Sequence, residues 1–182
     1  MSAYSNQSLN WLVAYTLPNS EKKINLKLQE QEIECFLPLH TVVKKWSDRT
    51  KKTDVPLFPG YIFIKSSLQR RFDLLYNREL VKFVSFEGVP AVIDDNVIES
   101  LQRIKEEKVE IGNYDGFQAG IKVRITEGHL SGAEGVLVRK NGKHRFIIHV
   151  EALNQAVYVE VPAANVEIVN ETPACSSIMA TC

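Results

Sequence analysis

The run Pro56-Leu57-Phe58-Pro59-Gly60-Tyr61-Ile62-Phe63-Ile64 constrains the fold of this chain more than any other stretch. Its two prolines fix φ near about −65° and remove two backbone donors, so Val55 to Pro59 is expected to be extended without full sheet pairing. Gly60 then permits a close turn or bulge. From Tyr61 onward, strand alternation sets Tyr61, Phe63 and Lys65 on one face and Ile62 and Ile64 on the other. The second face is aliphatic core. The first admits two uses, a protein-binding surface built from large rings with few rotors to freeze, or a sheet face covered by helices.

At 182 residues the chain can hold one medium domain or two small ones. Its 22 Lys and Arg balance 22 Asp and Glu, but residues 1–108 hold 16 basic and 14 acidic side chains and residues 109–182 hold 6 and 8. Neither half has the strongly basic footprint of a stand-alone nucleic-acid binder, so any such contact is local or assisted by a partner. Cys35, Cys175 and Cys182 lack metal-ligand spacing and form an odd count, which points to a reducing compartment. No signal-peptide pattern or long apolar run is present, and a soluble cytoplasmic protein is expected.

Along the chain, Trp11–Thr16 reads as a strand, and Asn19 or Ser20 can cap a helix from Glu21. Ile24, Leu28, Leu26 and Ile33 are assigned to its buried side, Lys22, Lys23 and Lys27 to its exposed side. Strands are expected at Ile33–Leu37 and Thr41–Trp46, with an exposed basic loop over Lys44–Lys52. After the proline-braced strand, Leu68, Phe72 and Leu75 mark a short amphipathic helix with Arg70 and Arg71 outside. Val81–Phe86 and Ala91–Ile93 read as strands joined through Glu87-Gly88. Asp94 or Asp95 then caps a helix whose stripe is Val97, Ile98, Leu101 and Ile104. The order β-α-β-β-β-α-β-β-α describes an α+β domain over residues 9–108, an antiparallel sheet flanked by helices.

A linker is expected at 109–117, where charged residues give way to Gly112-Asn113-Tyr114-Asp115-Gly116. Residues 118–170 change to short strands with frequent turns, including Asn141-Gly142, which accepts the positive φ of a type I′ turn. Five strands in so short a stretch predict a small closed β barrel. Residues 171–182 are expected to be a disordered tail.

No catalytic pattern stands out. His40, His129, His144 and His149 lack HExxH-type spacing, no phosphate-binding glycine loop follows a strand, and Cys35 beside Phe36 reads as a small core residue. No enzymatic activity, cofactor or metal is expected. The second half offers Val123-x-Ile125-x-x-Gly128-x-Leu130-x-Gly132-x-x-Gly135-x-Leu137, where glycines permit tight turns between alternating strands.

That spacing resembles the KOW motif of small SH3-like barrels in transcription and ribosomal proteins. Preceded by Trp11–Tyr15, Glu21-Lys22-Lys23, the Pro56–Ile64 run, Val81–Val84 and Gly88-Val89-Pro90-Ala91, it resembles the NusG family of transcription elongation factors over residues 11–169. Leu57–Phe63 and Gly88–Ala91 are most similar to the specialised RfaH and UpxY kind of antiterminator, which serves long operons such as those for surface polysaccharide. The resemblance implies an NGN-like first domain that binds the clamp helices of RNA polymerase through Tyr15, Phe58, Tyr61 and Phe63, four rings converging on one exposed hollow. It implies a gate-loop contact near Arg70, Arg71, Phe72 and Asp73, and contact of Lys22, Lys23, Lys27 and Arg78 with non-template DNA. Basic groups there attract phosphates and flat groups stack on bases. Leu153 would dock the barrel onto a small-subunit ribosomal protein or a termination factor. A monomer without membrane association is expected. The alternatives are a KOW-containing RNA- or ribosome-associated protein and a general housekeeping member of the family.

Overall fold

The computed structural model describes residues 8–45, 50–104, 109–113, 121–128, 130–140 and 143–169. The first half holds β1 (Asn10–Thr16), α1 (Glu21–Glu30), β2 (Cys35–Phe36), β3 (Leu39–Lys45), β4 (Thr50–Pro56), β5 (Tyr61–Ser66) and α2 (Arg71–Leu74). It continues with β6 (Leu80–Phe83), β7 (Ser85–Phe86), β8 (Val89–Pro90), β9 (Val92–Ile93) and α3 (Asp95–Arg103). The second half holds β10 (Val109–Asn113), β11 (Ile121–Ile125), β12 (Glu134–Lys140), β13 (Lys143–Val150), β14 (Gln155–Glu160) and β15 (Val166–Ile168).

β1 lies inside the first sheet, where Leu12, Val13 and Ala14 are fully buried on its two faces. It pairs antiparallel with β5 on one edge and with β6 and β9 on the other, and β2 extends the sheet beyond β5. The register sets Leu12 against Ile64 and Ala14 against Ile62 on one face. That face packs with Ile24 and Leu28 of α1 and with Leu74, Leu80 and Phe83. On the opposite face Val13 stands against Phe63 and Tyr15 against Tyr61, and the buried cluster there draws in Leu57, Phe58 and Ile93 with Ile98, Leu101 and Ile104 of α3. Burying both sheet faces removes apolar area worth about 25 cal/mol per Å² from water.

Several local expectations are corrected. Leu26 is 60% exposed, because it sits a half-turn from the Ile24–Leu28 line that meets the sheet. α2 has only four residues; Leu74 is its buried residue, whereas Leu68 and Phe72 are exposed. The turn begins too late for the Leu68–Phe72–Leu75 line to become one helix face. β4 remains paired with β3 through Pro56, opposite Leu39, since a proline is tolerated where the ladder ends. β3 and β4 form a two-stranded hairpin apart from the main sheet.

In the second half the expected linker begins as a strand. β10 pairs with β14, Val109 opposite Val159, and gives an antiparallel sheet of six strands in the order β10-β14-β13-β12-β11-β15. The charged neighbours of Val109 and Ile111 conceal this in the sequence, because the pairing edge is supplied some fifty positions later. Gly128 and Gly132 adopt φ of +88° and +82° in the β11–β12 connection. At Gly135 the constraint is space instead, for a Cβ would meet the Ile147 carbonyl and lie 2.7 Å from the Phe146 ring. The buried cluster of the α3 face continues into Val123, Ile125, Phe146, Ile148 and Val157 of the second sheet. The basic-loop residues Trp46–Arg49, the Asn141-Gly142 turn, His129, the 114–117 part of the linker and the 171–182 tail lie outside the described residues.

Candidate functional site

The end of β1, the start of α1 and the proline-braced turn meet at Gly60. Its φ is +84°, and a Cβ there would stand 3.1 Å from the Tyr15 ring, so both backbone conformation and ring contact require glycine. The Gly60 N–H donates to Glu21 Oε1 at 2.7 Å, and its carbonyl accepts the Thr16 N–H at 2.8 Å. Glu21 is 6% exposed. The carboxylate that opens α1 therefore fixes the turn, and Ser20 occupies the N-cap position, its carbonyl accepting the Ile24 N–H at 2.9 Å.

Over this turn Tyr15 and Tyr61 form an edge-to-face pair, with centroids 5.4 Å apart and planes at 65°. Both rings are half-buried and reach the surface. Phe58 and Phe63 stand behind them, 6.0 Å apart, with Phe36 6.1 Å from Phe63. The four rings converge, but the expected fourfold exposure is corrected: Phe58 is 1% and Phe63 0% exposed. The physical reason is α3, whose apolar stripe belongs to the same cluster and is a stronger sink for two Phe rings than water. A partner would touch the tyrosines and feel the phenylalanines only as a rigid floor.

The basic group is arranged by an acid that sequence reading missed. Glu79 Oε1 lies 2.8 Å from Lys23 Nζ, and Glu79 Oε2 lies 3.3 Å from Lys27 Nζ. The hydrogen bond from Lys23, supported by a backbone bond and by Lys27, holds the Glu79 carboxyl at about 2 instead of 4.5. Lys22 turns away and donates to the Asp54 carbonyl at 2.7 Å. Arg78 is exposed beside Glu79. The helix face thus presents two cations sharing one anion. No local signal marks Glu79, since it reaches α1 only through the fold, its carbonyl accepting the Leu17 N–H at 2.9 Å.

Arg70 and Asp73 are exposed, and the Arg71 guanidinium lies 4.2 Å from the centroid of the 60%-exposed Phe72 ring. Tyr76, also missed, is 87% exposed beyond α2. Leu153 is half-buried in the turn Glu151–Leu153, and Asn154 closes that turn at φ 49°. It packs on the apolar cluster. The Cys35 thiol is pushed up by burial, with Sγ 3.4 Å from Asn25 Oδ1. Among the described residues no group of three or more His, Cys, Asp or Glu could hold a metal ion, and no helix is long and apolar enough to cross a membrane.

A family model described as transcription termination factor nusG matches residues 9–102. The chain is 25% identical over 150 residues to a transcription termination/antitermination protein NusG of Pasteurella multocida, covering 79% of this chain and 81% of that one. It is 26% identical over 130 residues to the Chlamydia pneumoniae protein of the same name, covering 65% and 71%. A solved structure described as "Domain interaction in Thermotoga maritima NusG" covers 90% of this chain and 98% of its own, at 19% identity and a TM-score of 0.48.

Proposed function

The chain belongs to the NusG family of transcription termination and antitermination factors, and we propose that it acts in the cytoplasm as a non-enzymatic antiterminator that rides on RNA polymerase. The observation that carries this reading is the Tyr15–Tyr61 pair, anchored through Gly60 to the buried Glu21. A preorganised aromatic pair loses little side-chain entropy on binding, which suits it to grip an exposed helical element such as the polymerase clamp. Phe58 and Phe63 hold the pair from behind. Binding that favours the closed clamp shifts the polymerase away from paused states by differential affinity.

The similarity of Leu57–Phe63 and Gly88–Ala91 to specialised antiterminators supports service of one long operon, such as one for a surface polysaccharide. Arg70, Arg71, Phe72 and Asp73 would meet the gate-loop side, with the Arg71–Phe72 stack as contact surface. Lys22, Lys23, Lys27 and Arg78 would face the non-template strand, where phosphates compete with Glu79 for Lys23 and Lys27. The six-stranded second half would serve as the KOW-type module, with Leu153 as its contact with a ribosomal protein or termination factor. The test is retention of the full chain on immobilised core RNA polymerase. Tyr15→Ala with Tyr61→Ala is expected to abolish retention while thermal unfolding remains cooperative. Undiminished retention refutes the clamp reading.

A further inference from the structure

The loop between α2 and β6 alternates buried and exposed side chains. Asn77 and Glu79 are buried, whereas Tyr76 and Arg78 face solvent, the tyrosine at 87% exposure. Both buried residues tie the loop to α1. Asn77 Oδ1 accepts from Gln31 Nε2, at the C-terminal end of α1, at 3.4 Å, and Asn77 Nδ2 donates to the Leu74 carbonyl at 3.0 Å. The Glu79 carboxylate takes Lys23 and Lys27. Backbone bonds close the loop on either side, the Tyr76 N–H donating to the Asp73 carbonyl at 3.2 Å and the Leu80 N–H to the Asn77 carbonyl at 2.9 Å. A phenol ring and a guanidinium are therefore held outward on a braced loop.

An aromatic ring gains by leaving water, and Tyr76 forgoes that gain within the fold. Its surroundings indicate what could supply it. Three residues of chain span at most about 11 Å, so the ring lies near Arg78 and near the carboxylate that gathers Lys23 and Lys27. Two lysines and an arginine against one glutamate leave an excess of positive charge there. An aromatic anchor for a protein partner sits ordinarily in a well-packed patch that excludes water, whereas Asn77, Arg78 and Glu79 beside this ring are polar. A flat ring among cations matches a ligand in which flat groups alternate with anionic linkages.

We propose that Tyr76 is a stacking platform for one base of a single strand of nucleic acid, with Arg78, Lys23 and Lys27 drawing the flanking phosphates. The proposal rests on the nucleic-acid reading above and adds the group that holds the base. Every base has a π-face, so the ring contributes affinity without choosing the base. The three cations contribute the part of binding that salt removes.

The test measures binding of the full chain to two strands of equal length and charge, a single-stranded DNA of mixed sequence and a strand with an abasic sugar at every position. The unaltered chain is expected to bind the base-bearing strand about tenfold or more tighter, the effect of stacking one base on one ring. Tyr76→Ser is expected to erase that preference while leaving the thermal midpoint and binding to the abasic strand unchanged, and Tyr76→Phe to keep it. The loss is expected on all-pyrimidine and mixed strands alike, and one confined to either composition would contradict a sequence-tolerant stack. Lys23→Ala with Lys27→Ala is expected to weaken both strands equally and to flatten the salt dependence. Equal binding of the two strands by the unaltered chain, or a base preference retained in folded Tyr76→Ser, would overturn the stack and leave the phosphate role of the lysines standing. Failure to bind either strand would overturn both. If Tyr76→Ser lowered retention on core RNA polymerase free of nucleic acid, the ring would belong to a protein contact and the proposal would fall.

Discussion

The carboxylate of Glu21 accepts the backbone N–H of Gly60 at 2.7 Å, joining the first turn of α1 to the turn that presents Tyr61. The two residues are thirty-nine positions apart, and their bond sets the height at which the tyrosine pair stands above the sheet. Breaking it has a defined cost. Glu21→Ala leaves the half-buried Gly60 donor without its partner and is expected to destabilise the fold by ~1–3 kcal/mol, while Glu21→Gln, which keeps an acceptor oxygen, is expected to lose less. Urea unfolding of the three proteins checks the order.

Gly60→Ala is expected to be worse than an ordinary surface change. Its φ of +84° strains any L side chain, and the added methyl would press on the Tyr15 ring. A loss of about 1–3 kcal/mol follows from the strained conformation. The near-ultraviolet signal of the tyrosines should change with it, because the ring must move. A thermal midpoint and spectrum matching the parent would contradict this account.

Tyr15 and Tyr61 should be energetically coupled beyond the area they bury. For an edge-to-face pair, a double-mutant cycle with Phe→Leu-like truncations, here Tyr15→Leu and Tyr61→Leu, is expected to return about 0.5–1.5 kcal/mol. A coupling of zero would mean the rings are neighbours without mutual support.

Glu79 predicts a pH dependence with a definite sign. Its folded value, about 2, lies below its ordinary 4.5. The stability it contributes is therefore complete above about 4.5 and is lost as pH falls through about 2. Glu79→Gln should be less stable than the parent at pH 7, with the difference shrinking toward pH 2, as denaturant melts at both values would show. The same variant frees Lys23 and Lys27 from their shared anion, so retention on single-stranded DNA should rise and become more salt-sensitive. Unaltered retention would remove these lysines from the nucleic-acid reading.

Gly135→Ala is expected to destabilise the second sheet, because the new methyl would meet backbone at Ile147 and the buried Phe146 ring, neither free to retreat. Overpacking of this kind costs about 1–3 kcal/mol. The thermal midpoint should fall, and a midpoint at or above the parent's would show that β12 and β13 can separate locally.

The strand at Tyr61–Ser66, the α1 line Ile24–Leu28 and the α3 stripe Ile98–Leu101–Ile104 were legible because each repeats its apolar residues at the period of its own element. The glycines of the β11–β12 connection were legible because a tight turn needs them wherever it lies. β10 was not, since its partner β14 is distant in sequence and the run Lys105–Glu110 that leads into it is mostly charged. Nothing local to Ser100 indicates its hydrogen bonds with the Glu134 backbone, thirty-four positions away.

The sequence by itself determined that Tyr61 and Phe63 share one strand face and Ile62 and Ile64 the other, since side-chain alternation is a property of the strand alone. Tertiary structure decided which of those aromatics meets water. Burial depends on what packs above the face, and α3, arriving some thirty residues later, takes Phe63 and Phe58 into its cluster while the Glu21–Gly60 bond leaves Tyr15 and Tyr61 at the surface.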